Sequence, residues 1–142
     1  MAEGSGNDLL EVEFVSPEEI LYSGSADTVV ARTRDGGDIA FLYGHEPFIG
    51  SLITSQVKVF EVDPAASSGR VEKVFVVRGG FVSVTGEKVT VLSDAAISVD
   101  DIDTEQVTQD LAEAEAGLQE DPESVYHEAD RTWAKVQLEA AS

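Results

Sequence analysis

The chain has 142 residues, with 28 acidic side chains against 9 basic ones and a formal net charge of −19. Such a length suits one domain, or one domain with an appendage, and can bury about two-thirds of its unfolded surface. The charge argues against nucleic acid or an anionic bilayer as partner, since both demand a cationic face. With no cysteine, disulfides, thiolate chemistry and cysteine-ligated metal centres are excluded.

From the N-terminus, Met1 to Asp8 carry neither the basic and apolar regions of a signal peptide nor the arginines of a transit peptide. Residues 1–7 are expected to be a flexible leader. No apolar run exceeds the five residues Ile39 to Tyr43, against the roughly 20 needed to span a bilayer. A soluble chain working in the compartment where it is made is the expectation.

Leu10, Val12 and Phe14 alternate with Glu11 and Glu13, the pattern of a half-buried strand. Ser16-Pro17-Glu18-Glu19 turns the chain, and Ile20-Leu21-Tyr22 starts it again. Thr28 to Arg34 reads as a third strand, closed by Asp35-Gly36-Gly37. Ile39 to Leu42 follows, then the tight loop Gly44-His45-Glu46-Pro47. Further strands are expected at 49–53, 56–62, 71–78, 81–85 and 89–92. Gly86-Glu87 reads as a hairpin turn, and Gly79-Gly80 as a bulge or sharp corner. Short strands separated by turn signals predict an antiparallel sandwich or barrel over residues 8–96.

The composition then changes. Residues 97–142 hold 13 acids, 2 bases and a single glycine, and per residue are nearly three times as negative as the part before them. Asp103 or Thr104 can cap a helix whose Val107, Leu111, Ala114 and Leu118 form one apolar stripe. Glu120-Asp121-Pro122 interrupts it. Asp121 as cap and Pro122 at the first helical position predict a second helix. Val125, Ala129, Thr132 or Trp133, Val136 and Ala140 would share its buried face. The expected architecture is therefore α+β, an antiparallel β-sandwich of about ten strands followed by a two-helix hairpin over residues 97–142.

Catalytic chemistry finds little support. The only histidines, His45 and His127, lie in no nucleophile elbow and no metal-ligand spacing. With so many acids, a pair of carboxylates carries no specificity for glycoside hydrolysis. Neither glycine pair precedes a lysine that opens a helix, so neither forms a phosphate loop. His45 stands out because Gly44 and Pro47 constrain its loop. It reads either as a presented contact residue or as a histidine satisfying local backbone groups. Trp133 reads as helix packing, and Tyr126 and His127 as solvent-exposed.

Taken in order, these segments resemble the epsilon subunit of F-type ATP synthases. Val15-Ser16-Pro17, Leu21-Tyr22-Ser23-Gly24 and Val29-Val30-Ala31 look like the family's opening strands. Gly37-Asp38-Ile39-Ala40-Phe41-Leu42-Tyr43-Gly44-His45-Glu46-Pro47 is similar to its Gly-Glu-Leu-Gly-Ile segment and Pro-Gly-His-x-Pro loop. Asp38, Ala40 and Tyr43 replace the usual glutamate, second glycine and proline. Gly79-Gly80-Phe81-Val82 and Val89 to Ala96 look like the closing strands.

The resemblance implies a ten-stranded sandwich and a non-catalytic place in the central stalk. There the sandwich would pack on the gamma subunit and sit on the ring of c subunits during ATP synthesis. Asp38, Gly44, His45 and Glu46 would lie on or near the end facing the ring. The complex would be peripheral at the cytoplasmic face of the bacterial cell membrane, with no direct insertion by this subunit.

In several relatives an Ile/Leu-Asp-x-x-Arg-Ala segment helps bind ATP. Here the run is Ile102-Asp103-Thr104-Glu105-Gln106-Val107, with uncharged Gln106 at the arginine position. No cofactor and weak or absent ATP binding are expected. In relatives the second helix can also enter the catalytic alpha/beta hexamer and block hydrolysis. Here Arg131, Trp133 and Lys135 are the candidate regulatory residues, set among four acids from Pro122 onward, so weak inhibition is expected. The competing reading is a free-standing sandwich that binds a ligand such as carbohydrate. Against it, the only tryptophan lies in the helical tail.

Overall fold

A computed structural model describes residues 8–142, and the expected leader over residues 1–7 lies outside them. Ten strands come first: β1 (Leu10–Val15), β2 (Ile20–Ala26), β3 (Thr28–Thr33), β4 (Gly37–Leu42), β5 (Phe48–Leu52), β6 (Ser55–Val62), β7 (Arg70–Val77), β8 (Gly80–Val84), β9 (Lys88–Leu92) and β10 (Ala96–Ser98). A single 3-10 turn (Val99–Asp101) leads to α1 (Thr104–Glu120) and α2 (Val125–Ala141). The chain divides into two compact units between Ala96 and Ile97.

The strand order is β10-β7-β6-β3-β5-β8-β9-β1-β2, with β4 off this path and paired to β3. β3 carries the sheet from one layer to the other. It pairs with β6 through Thr28 to Val30, then meets β5 only at Thr33, opposite Leu52. At the far end of the order β2 returns to β6, where the Tyr22 hydroxyl donates to the Glu61 carboxylate and the Asp27 N–H donates to the Phe60 carbonyl at 2.9 Å. The layers thus close toward a barrel. The β1–β9 pairing departs from the antiparallel expectation, because β1 runs parallel to β9 from Glu11 and Lys88 to Val15 and Leu92.

Period-two alternation points one side of each strand into a shared core. Leu10, Val12 and Phe14 are fully buried while Glu11 stays exposed. Val29, Ala31, Phe41, Leu52, Val57, Val59, Val82, Val89 and Val91 join them. Each buried valine, leucine or phenylalanine contributes about 1.5–3 kcal/mol. Phe14, Tyr22 and Phe75 form a ring cluster with centroids 4.8–5.5 Å apart, which ties β1, β2 and β7 together. The corner expected at Gly79-Gly80 is present. Gly80 has φ +109, and a Cβ there would stand 1.9 Å from the Leu92 carbonyl oxygen, so only glycine fits. β10 was not anticipated from the residues alone, since three residues are too few to show a period.

In the helical unit, Asp103 caps α1, its carboxylate accepting the Gln106 N–H at 3.1 Å. Val107 and Ala114 are buried along the expected stripe. The second helix differs from expectation in two respects. Its cap is Ser124, whose hydroxyl accepts the His127 N–H at 3.2 Å, and not Asp121. Asp121 instead closes α1 by donating its N–H to the Gly117 carbonyl at 2.9 Å, which leaves Pro122 in the turn between helices.

The buried face of α2 is also rotated from the expected one, by about one residue or 100°. Ala134 and Gln137 are buried, Val125 is 72% exposed and Ala129 is exposed. The cause is Gly117. A Cβ there would lie 2.6 Å from the His127 ring, so the missing side chain on α1 makes a seat for that imidazole. Seven residues beyond His127, two helical turns along the same face, stands Ala134. His127, expected in solvent, is half-buried.

Candidate functional site

The sequence-predicted contact residues fall along β4 and the loop after it. β4 is an edge strand, and its exposed positions are Gly37, Asp38, Ala40 and Leu42, continuing into Tyr43, Gly44, Glu46 and Pro47. Asp38 and the trio Gly44-His45-Glu46 are not gathered into one cluster. They stand at opposite ends of β4, with about 13 Å of strand between Asp38 and Leu42. What they share is one exposed edge.

Asp38 faces Arg32 across the β3–β4 pair. The Arg32 guanidinium donates to both carboxylate oxygens, at 2.8 and 3.3 Å. Hydrogen bonding to Arg32 holds the Asp38 carboxyl below its ordinary range. The negative charge there is accordingly balanced by its neighbour, and the acidity of the edge lies farther along.

The loop is built for rigidity. Gly44 takes φ +86, a left-handed conformation that favours glycine, and its N–H donates to the Gly86 carbonyl at 2.7 Å. The His45 N–H closes a turn onto the Leu42 carbonyl at 3.0 Å. The His45 ring packs edge-on against Phe41 at 5.0 Å and meets Phe48 at 6.5 Å, while Nδ1 donates to the Glu46 carbonyl at 2.8 Å. The reading of this histidine as one that satisfies a local backbone group finds its counterpart in the Glu46 carbonyl, and its ring also anchors the loop onto the core through buried Phe41.

Residues the sequence did not single out complete this end. The β8–β9 turn lies beside the loop, where the Tyr43 hydroxyl donates to Glu87 Oε1 at 3.4 Å and the charge of Glu87 raises the Tyr43 phenol above its ordinary value. The Glu87 carbonyl accepts the Glu11 N–H at 2.8 Å. Gly86-Glu87 reads locally as a hairpin turn and nothing more. Only the long-range pairing of β5 with β8 brings it against Gly44.

On α2, Arg131 is engaged by its own helix, donating to both Glu128 oxygens at 2.7 and 2.9 Å. Lys135 is exposed, and Trp133 is half-buried with its carbonyl accepting the Gln137 amide at 3.3 Å. Gln106, at the arginine position of the nucleotide motif, donates its side-chain amide to Asp110 at 3.0 Å. An amide already spent on a carboxylate offers no cationic fork for phosphate. Among the described residues no group of three or more histidine, aspartate or glutamate side chains could hold a metal ion, and no helix is long and apolar enough to cross a membrane. His45 rests against Phe41, and His127 against Gly117.

Known proteins share both the sequence and the shape. Residues 9–99 match the family described as ATP synthase, Delta/Epsilon chain, beta-sandwich domain. The ATP synthase epsilon chain of Corynebacterium diphtheriae is 39% identical over 114 residues, covering 80% of this chain and 82% of that one. The epsilon chain of Rhodococcus erythropolis is 40% identical over 111 residues, covering 78% and 85%. A chain in the mitochondrial ATP synthase of Euglena gracilis, in a structure of OSCP, F1 and the c-ring, superimposes with a TM-score of 0.73 at 25% identity, covering 94% of this chain and 81% of its own. A chain from the central stalk and c-ring of the Tetrahymena thermophila enzyme has the same fold, with a TM-score of 0.54 at 14% identity, covering 94% and 96%.

Proposed function

This chain belongs to the ATP synthase delta/epsilon family as an epsilon-type subunit, and on that footing we propose how its surfaces divide the work of the stalk. It is a non-catalytic subunit of the central stalk of the rotary ATP synthase. In the proposal the sandwich bridges the gamma subunit and the c-ring, and the β4 edge with its loop meets the ring. The observation that carries this reading is the alternation that exposes Asp38, Ala40 and Leu42 on one side of β4 and continues into exposed Tyr43, Gly44 and Glu46, on a strand paired to β3 alone among the described residues.

Passing torque through this edge requires a support that does not yield. The His45 ring on Phe41 and the Gly44–Gly86 hydrogen bond supply it, since both tie the loop to the packed core. Glu46 and Glu87 give this end a negative potential that favours polar or basic ring loops, setting orientation more than affinity. The complex would hold the subunit peripherally at the cytoplasmic face of the cell membrane. The helical unit would act on the catalytic hexamer through Arg131, Trp133 and Lys135, and only weakly, because Glu128 already engages Arg131. Gln106, bonded to Asp110, supports weak or absent ATP binding.

Reconstituted enzyme carrying Glu46→Lys together with Tyr43→Ala tests the ring contact. ATP-driven ion pumping per ATP hydrolysed should fall several-fold while the hydrolysis rate of the detached catalytic part stays unchanged. Unaltered coupling would refute the placement of this edge on the ring.

A further inference from the structure

Where β2 comes back to β6, polar side chains fasten the sandwich on its core side. Alternation points Val57 and Val59 of β6 inward, and two residues further Glu61 takes the same side. On β7 the same count runs back from Phe75 to Lys73. The core-facing row therefore ends in a carboxylate and an ammonium group, 3.2 Å apart. Tyr22 of β2 reaches across to them. Its hydroxyl donates to Glu61, and Lys73 Nζ stands 5.8 Å from the centre of its ring. Gly24 makes the room, because a Cβ there would run into that hydroxyl and stand 3.1 Å from Glu61 Oε2.

Apolar burial holds β2 far less than its neighbour. Within β2 only Ala26 is buried, and Ile20 is 59% exposed, whereas β1 buries Leu10, Val12 and Phe14. The ladder between them is regular from Leu10–Ala26 to Phe14–Tyr22 and shifts register at Val15–Ile20, where β2 begins. The other end of β2 is clamped. Asp27 gives its N–H to the Phe60 carbonyl at 2.9 Å, and its carboxylate accepts two Arg70 bonds at 2.9 and 2.7 Å. Arg70 in turn lies 4.5 Å over the Phe60 ring.

We infer that β2 is a strap, hinged at Asp27 and fastened by Tyr22, Glu61 and Lys73, which releases before the rest of the sandwich. An ion pair at a core-facing position holds less firmly than apolar side chains of the same volume, because both charges give up water. Few buried apolar groups on β2 give it a low free energy of local opening. Release takes the Tyr22 ring off Phe14 and Phe75 and exposes the side of β6 that it covered. The β4 loop keeps its shape meanwhile, since His45 rests on Phe41 and Gly44 bonds to Gly86, all outside β2. The sandwich thus has one side able to yield while its loop end stays fixed.

Hydrogen exchange of the full chain, followed strand by strand, tests the strap. In the wild-type chain the β2 amides paired with β1 should exchange about tenfold or more faster than those joining β8 to β9. Glu61→Ala removes the acceptor that Tyr22 and Lys73 share, and should speed β2 about tenfold again with β8 and β9 unchanged. Tyr22→Phe, Glu61→Leu and Lys73→Met combined fill the same space with apolar groups and should slow β2 to the wild-type rate or below. Lys58→Gln breaks the exposed Lys58–Glu72 pair on the outer side of β6 and β7, and should leave β2 as it was. Should Glu61→Ala fail to fold, Glu61→Gln drops the charge while keeping an acceptor for Tyr22, with a smaller rise at β2 expected. The strap is overturned if β2 exchanges together with β8 and β9 in the wild-type chain, or if the Glu61 variant speeds all strands equally. It is also overturned if Lys58→Gln frees β2 as much as the Glu61 variant does, or if the apolar triple variant leaves β2 faster than wild type.

Discussion

The two units of this chain solve the problem of staying folded by different means. The sandwich encloses a continuous core that runs from Leu10 to Val91, built from strands far apart in sequence. The helical unit buries only Val107, Ala114, Ala134 and the polar Gln137 on its helices. Its remaining order comes from caps, from the Gly117–His127 contact and from helix propensity. Few buried apolar groups mean a low free energy of local opening. A stalk needs one part that does not deform and tolerates another that does, and the distribution of burial supplies both.

The comparison breaks most visibly at the ring cluster. Phe14→Ala should destabilise the sandwich by about 3–5 kcal/mol, seen as a lower calorimetric midpoint. Hydrogen exchange in α1 and α2 should be unaffected, and faster exchange there would show that the units unfold together. Next in size is Gly117→Ala. The His127 ring must leave its seat, at a cost of about 1–3 kcal/mol confined to the hairpin. Helix amides should exchange faster with sandwich amides unchanged.

Ser124→Ala should cost about 1 kcal/mol of hairpin stability and Asp121→Ala less, since Ser124 is the capping side chain. Amide exchange in the first turn of α2 distinguishes the two, and the reverse order would contradict the observed cap. The smallest effect is a pH dependence. Burial first, then the hydrogen bond and charge of Glu61, raise the Tyr22 phenol above its ordinary value of 10.0. The folded state then keeps a proton that the unfolded chain releases, so this contribution is complete below about pH 10 and is lost as pH rises further. Tyr22→Phe should flatten the alkaline limb of a stability–pH curve for the sandwich alone.

Much of this was legible in the residues. Alternation of Leu10, Val12 and Phe14 with glutamates specifies a strand and its inward face, because side chains alternate across a strand whatever it pairs with. The Asp103 cap and the Val107–Ala114 stripe are equally local. So is the constrained loop around His45, whose Gly44 has the positive φ such a turn requires. The sequence also determined a net charge of −19 concentrated in the tail, which limits the partners that the tail can attract.

Tertiary structure decided what depends on distance. The seat that Gly117 offers to His127 chose the face of α2, overriding the apolar stripe beginning at Val125. The Arg32 pairing balanced the charge of Asp38, and the return of β8 to β5 set Glu87 beside Tyr43. The parallel joining of β1 to β9 is what lines up Phe81, Leu92, Val15 and Ile20. Each residue of that row looks unremarkable within its own strand. Periodicity fixes which side of a strand faces out, but only inter-strand register decides which outward residues become neighbours.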